Sequence, residues 1–252
     1  MNLGAATRGI LRQLAPKGEA PADRQFRDEF LRFEEMSKAN ARMPVRWEER
    51  HPCLDDRTAG TDFDRHYTYH PAWAARMLAQ TRPTLHIDIS SILYFAATVS
   101  AFVPVRFYDY RPAAIELSGL ETGSADLTAL PFDTGSIASL SSMHVVEHIG
   151  LGRYGDPLDP DADLKAMTEL ARVLAPGGSL LFAVPIGRPR VVFNAHRVYS
   201  HAQIVSAFAS LTLRQFTLIA DDAAGGGLIV DAPPTLADAQ EYGCGCFWFV
   251  KP

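Results

Sequence analysis

Cysteine is scarce in this chain: Cys53, Cys244 and Cys246 are the only three in 252 residues. An odd number without a pair of CxxC clusters argues against a disulfide framework and a structural zinc site, and fits a reducing cytoplasm. No run of Lys or Arg occurs, and the formal net charge is −5. The general electrostatic footprint of a nucleic-acid binder is therefore missing, and no nucleic-acid partner is expected. A long apolar run is lacking too. Near the start, Arg8, Arg12 and Lys17 stand among Leu3, Ile10, Leu11 and Leu14, which leaves no stretch of the length a signal peptide or membrane span needs. That segment reads as a short basic helix, and no transmembrane segment is expected. Internal repeats and long low-complexity regions are likewise missing.

With 47% hydrophobic residues the chain can bury a full core, and its length suits one elaborated domain with extensions. The stretch ELARVLAPGGSLLFAVP, Glu169 to Pro185, is the most informative. Leu164, Met167, Leu170, Ala171 and Leu174 recur on one helical face. Pro176, Gly177 and Gly178 end that helix, and Leu180 to Val184 read as a buried parallel strand. Upstream, Leu85–Ile89, Val105–Tyr110, a short strand before Asp126, and Ser136–Ser142 alternate with helical segments, including one expected after Pro112. Leu211–Ile219 and Cys244–Lys251 are two late strands, with no helix evident between them. This alternation predicts an α/β fold with a mostly parallel sheet of seven strands, the last pair antiparallel. Residues 1–82 read as a helical and loop extension packing on the core, with Phe26, Phe30, Phe33 and Met36 on one helix face, and 83–252 as the main domain. Within the extension, FDRHYTYHPAW crowds Tyr67, His70 and other rings before a helix. That crowd reads either as a ligand wall, suited to sugar stacking, or as a cap on the core.

The segments SADLTALPFDTGSIASLSSMHVVEHI and ELARVLAPGGSLLFAVP together resemble the class I S-adenosylmethionine-dependent methyltransferases. HVVEHIGLGRYGDPLDP, FNAHR and GCGCFWFVK further resemble a narrower family catalogued as a domain of unknown function, number two hundred and sixty-eight. The first resemblance implies a Rossmann-like fold with cofactor over the carboxyl ends of the first strands. It implies Asp109 on the ribose hydroxyls, and Asp126 and Leu127 on the adenine. The first motif departs from the family: DISSILY replaces the acid-x-Gly-x-Gly run. Ser90 stands at the first glycine position, and Ile92 and Tyr94 carry side chains that would obstruct the usual path. Ser90 and Ser91 could donate to the methionine carboxylate, and Asp88 could take its ammonium.

His144, His148 and His196 are candidate bases for an acceptor hydroxyl, with a structural histidine as the alternative reading. Arg153, Tyr154, Asp156, Asn194 and Arg197 follow the fourth and fifth strands, where acceptor recognition falls. HVVEH also spells an inverted zinc-protease motif, but a strand rather than a long helix leads into it. Asp159, Asp161 and Asp163 mimic a calcium loop, yet Leu164 and Leu170 occupy its Gly and Glu positions. No metal is therefore expected. The reading is a cytoplasmic methyltransferase that uses S-adenosylmethionine and acts on oxygen or nitrogen of a small-molecule or carbohydrate acceptor. Its alternative is a non-catalytic glycan-binding or scaffold protein of the same fold.

Overall fold

A computed structural model describes residues 21–38, 42–222, 224 and 226–252. The basic segment bearing Arg8, Arg12 and Lys17 lies outside them. The chain divides into two compact units, Met1–Asp62 and Phe63–Pro252. In the first, α1 (Pro21–Lys38) packs Phe26 and Phe30 on Trp47, with ring centroids 6.1 and 4.9 Å apart. Arg50 covers the Trp47 ring at 4.0 Å.

The second unit opens with α2 (Arg65–Thr81), capped by Asp64, which accepts a hydrogen bond from the Tyr67 N–H, and ended by Arg82 in the left-handed region. Its buried face, His70, Trp73, Ala74 and Leu78, follows helical spacing. The helix thus belongs to the unit that holds the sheet, whereas the sequence grouped it with the extension.

The other helices are α3 (Leu93–Val99), α4 (Ala162–Val173), α5 (His201–Ala207) and α6 (Pro234–Asp238). The strands are β1 (His86–Ile89), β2 (Val105–Asp109), β3 (Leu120–Ser124), β4 (Ile137–Met143), β5 (Leu174–Ile186), β6 (Arg190–Val192), β7 (His196–Val198), β8 (Thr212–Ile219), β9 (Ile229–Val230) and β10 (Gly243–Val250). The main sheet has eight strands in the order β3-β2-β1-β4-β5-β10-β8-β9, and β6 and β7 form a separate hairpin. Strands β1 to β5 pair in parallel. β10 runs antiparallel to both β5 and β8.

Alternation along β5 divides the core between the two sheet faces. Leu180, Phe182 and Val184 join Met167 and Leu170 of α4 and Phe208 beyond α5 on one face. Leu181 and Ala183 join Trp73 and Leu78 of α2 and Phe95 of α3 on the other. The result is a three-layer α/β/α sandwich.

Two expectations fail locally. No helix forms after Pro112, because only a few residues precede the turn at Gly119, where φ is +78°, and β3 starts at once. Between β8 and β10 there is both a strand, β9, and a helix, α6, whose Pro233 and Pro234 suit a helix start. Both elements are too short to leave a periodic signal. Further upstream, α4 has Asp161 at its N-cap position, with no side-chain cap bond.

Candidate functional site

Strand order reverses between β1 and β4, and a crevice opens there at the carboxyl ends of the strands, as expected for an open α/β sheet. The cleft encloses about 370 Å³. Ser90 after β1, Asp109 at the end of β2, Asp126 and Leu127 after β3, and His144 and His148 after β4 all line it. Tyr154 and Asp156, from the loop beyond, complete the wall.

Each side chain is set by its turn. Ser90 has φ +57°, so the backbone keeps the left-handed conformation that glycine favours although the glycine is gone. Its N–H donates to Tyr108 O at 2.7 Å. Asp109 Oδ1 accepts the Arg111 N–H at 2.7 Å. Asp126 Oδ1 accepts the N–H and the hydroxyl of Thr128 at 2.8 and 2.7 Å. One oxygen of each carboxylate is left for a ligand, and Leu127 is buried beside them. Ile92 and Tyr94 do not obstruct the cleft. Tyr94 is exposed, and Ile92 packs into the core face that α2 and α3 cover.

At the β4 end His144 also takes positive φ, +56°. Its Nδ1 lies 3.0 Å from Glu147 Oε1 and its Nε2 3.3 Å from Cys244 Sγ. Burial works against a charge on His144, but the neighbouring Cys244 sulfur and the Glu147 carboxylate outweigh it and raise its pKa, while burial raises the Cys244 thiol well above its ordinary value. Burial alone would raise Glu147; the His144 charge outweighs it and holds the carboxyl below its usual range. Rings of α2 pack around His144, with centroids at 5.1 Å for His66, 5.4 Å for Tyr67 and 4.9 Å for His70. Tyr242 stacks on His66 at 5.0 Å. These rings surround His144 but do not line the cleft. His148 Nδ1 lies 2.6 Å from Ala195 O, a contact that needs the proton on Nδ1, with the Arg153 guanidinium 3.2 Å away, and its Nε2 stands 3.7 Å from Glu147 Oε1.

Other residues singled out in the sequence serve elsewhere. Asp88 is fully buried, with Oδ1 accepting the Ser91 N–H at 3.1 Å and Oδ2 bonded to the Ser141 hydroxyl. Burial lifts its pKa to about 6 despite those bonds. Ser91 is buried and accepts the Met143 N–H. The Arg197 guanidinium is spent on Ile149 O at 2.6 Å and Pro160 O at 3.2 Å, and Asn194 reaches Leu151 O at 3.4 Å. They hold the β6–β7 hairpin to the cleft loop. Arg153 contacts Ala195 O at 3.2 Å, and His196 packs on Tyr242 at 4.8 Å. Asp156 lines the cleft, but its oxygens accept the Gly150 and Tyr154 N–H groups at 2.7 and 3.1 Å. Burial would raise it, and those N–H groups hold it below the ordinary carboxylate value. Sequence reasoning passed over Tyr110, Arg111 and Tyr242, and gave no site role to Thr128, His66, Glu147 or Cys244 although it singled out the segments that carry them. His66 lies one helical turn before His70 in the crowded FDRHYTYHPAW stretch, and Glu147 stands in HVVEH; Tyr110, Arg111 and Tyr242 fall in no motif.

The architecture and the placement of the cleft define the class I S-adenosylmethionine-dependent methyltransferase fold. Among solved structures, the chain is similar to the N-methyltransferase NodS from Bradyrhizobium japonicum in complex with S-adenosyl-L-homocysteine. The TM-score is 0.52 at 14% identity, over 87% of this chain and 98% of that one. It is similar also to the 1,6-didemethyltoxoflavin-N1-methyltransferase of Burkholderia thailandensis, with TM-score 0.50 and 12% identity over 94% and 92%. A third similar structure is the complex between the Haloferax volcanii Trm112 methyltransferase activator and a methyltransferase, with TM-score 0.50 and 21% identity over 75% and 90%. The family described as Caenorhabditis protein of unknown function, DUF268, matches residues 132–219. No curated protein matches the sequence. Among the described residues no helix is long and apolar enough to cross a membrane.

Proposed function

We propose that the chain transfers the methyl group of S-adenosylmethionine to an oxygen or nitrogen of a small-molecule or glycan-type acceptor. The observation that carries this reading is the convergence of Ser90, Asp109, Asp126 and Leu127 on one cleft whose other end holds His144 and His148. A nucleoside with an amino-acid arm needs just such donors and acceptors. The free oxygen of Asp109 suits the ribose hydroxyls, that of Asp126 the adenine amine, and Leu127 the ring face. The Ser90 hydroxyl, which donates to Tyr108 O at 3.3 Å, would have to turn from that carbonyl to reach the carboxylate of the methionine arm. Asp88, with both oxygens taken, has no part in it. The bound cofactor supplies an activated methyl group. The protein's share is alignment of the acceptor and, for a hydroxyl, removal of a proton.

His148 is assigned as that base, because it lines the cleft beside the Glu147 carboxylate, 3.7 Å from Nε2. His144 keeps its proton between Glu147 and Cys244, and His196 does not reach the cleft. The three free thiols fit a cytoplasmic setting.

Calorimetric titration with S-adenosylmethionine and S-adenosylhomocysteine tests the reading. Asp109→Ala is expected to weaken binding by about 1–3 kcal/mol through loss of charge-assisted hydrogen bonds. Folded wild-type protein that takes neither ligand would instead favour a glycan-binding or scaffold role. Given an acceptor, His148→Asn is expected to slow methyl transfer about 10²–10⁴-fold and to leave S-adenosylhomocysteine affinity unchanged. Equal rates would remove His148 as the base.

A further inference from the structure

Three elements meet beside the β4 end of the cleft: α2 brings His66, the turn after β4 brings His144, and β10 brings Cys244. One ligating atom from each lies within 4.8 Å of the others. Nε2 of His144 and Sγ of Cys244, 3.3 Å apart, are already spaced as two ligands on one zinc ion. At zinc–nitrogen and zinc–sulfur distances near 2.0–2.3 Å, tetrahedral ligand atoms stand about 3.5 Å apart. His66 needs to approach by only about 1 Å.

The surroundings are those of a metal ligand set. A zinc-bound histidine commonly donates its second ring N–H to a carboxylate, which fixes the tautomer and strengthens the ligand. His144 is placed for this, with Nδ1 3.0 Å from Glu147 Oε1 in a poorly directed contact and Nε2 turned to the thiol. Glu147 is fully buried, yet neither of its oxygens receives a well-directed hydrogen bond, and both ring nitrogens of fully buried His70 lack a partner. Such a cluster is incomplete as protein alone, because each unmet polar group costs about 1–3 kcal/mol. A three-ligand zinc site carries a water in its fourth position, and that water would supply a partner for these groups.

We propose that His66, His144 and Cys244 bind one zinc ion, with Glu147 positioning His144 from behind. Imidazole and thiolate donors suit zinc over magnesium or calcium. The ligand set is not that of the HVVEH spelling. Its second histidine, His148, directs Nδ1 to Ala195 O, and its glutamate holds a ligand and is no base. The ion would pin α2 to the ends of β4 and β10, whether or not the cleft binds S-adenosylmethionine.

The test uses the full-length protein in a Cys53→Ser background, stripped by chelator and titrated with Zn²⁺ and separately with Co²⁺. One zinc per chain by elemental analysis, a rise in melting temperature with Zn²⁺, and a thiolate-to-cobalt charge-transfer band are expected. Cys244→Ser should abolish the band and Cys246→Ser should keep it. Glu147→Gln should weaken zinc binding about 10–100-fold. Should Cys244→Ser not fold, His66→Gln, on the rim of the cluster, carries the test by loss of stoichiometric zinc. Wild-type protein that stays below half a zinc per chain, a band that survives Cys244→Ser, or unchanged zinc affinity in His66→Gln overturns the proposal.

Discussion

Ser90 and His144 hold positive φ angles of 57° and 56° at two corners of the cleft. A non-glycine residue in that region carries about 1–2 kcal/mol of strain. Ser90→Gly removes the strain but adds about 0.5–1 kcal/mol of unfolded-state entropy, so its stability is expected to stay within about 1 kcal/mol of wild type. Ser90→Val, β-branched and strained, is expected to lose about 1–3 kcal/mol. Urea unfolding separates the two, and equal midpoints would show that the turn does not hold Ser90 as described. At this scale the sequence was legible where a role depends on position along one strand. Asp109, Asp126 and Leu127 end or follow a strand, and they line the cleft. Asp88 lies inside β1, one residue before its end, and its orientation is set by Ser141, 53 residues away, which no local pattern reveals. Cys244 meets His144 across 100 residues for the same reason.

Among the elements, the loop from Gly150 to Asp159 forms one wall of the cleft and depends on its first glycine. Gly150 has φ +77°, and a Cβ there would lie 2.1 Å from Asp159 O, a backbone atom that cannot swing aside. Gly150 N and Asp156 close the loop at 2.7 Å, and the Asp159 N–H returns to Gly150 O at 3.0 Å. Gly150→Ala is therefore expected to cost at least about 1–3 kcal/mol and to weaken cleft binding through displaced Tyr154 and Asp156. Thermal melts and ligand titration on the same variant check both. Helix α4 and strand β5 were readable because a long apolar period survives in them. Leu164 is nonetheless exposed, and the strand already begins at Leu174, so Pro176 to Gly178 lie within β5 and do not end the helix. Helix α6 spans five residues and could not show a period. The expected helix after Pro112 failed because Gly119 and β3 follow too closely.

Across the whole molecule, buried histidines set the response to acid. Burial holds His86 at about 3 between the Ser139 and Ser141 hydroxyls. In the metal-free protein, burial first, then the His144 charge, hold His66 at about 4 and His70 well below 6.5. Their folded pKa values are depressed, so the stability they allow is fully present above about 6.5 and is lost as pH falls below it. The unfolded chain then binds about three protons that the folded chain refuses, and Asp88, raised to about 6, takes about one back. The net slope is up to about 2.7 kcal/mol per pH unit. The urea midpoint is expected to fall between pH 7 and pH 5.5, and a flat profile would contradict the burial of these rings. The sheet with its final reversed strand could be anticipated from the order of segments and the family resemblance. The ring cluster at His144 could not, since α2, β4 and β10 meet there only in three dimensions.

β10 lies between β5 and β8 and pairs with both along its length. Until those eight residues dock, β5 and β8 each present a row of unsatisfied backbone groups flanked by apolar side chains, the template that promotes strand exchange between molecules. Crowding during refolding should therefore yield dimers that trade β10, with each Cys244 delivered to the neighbour's His144.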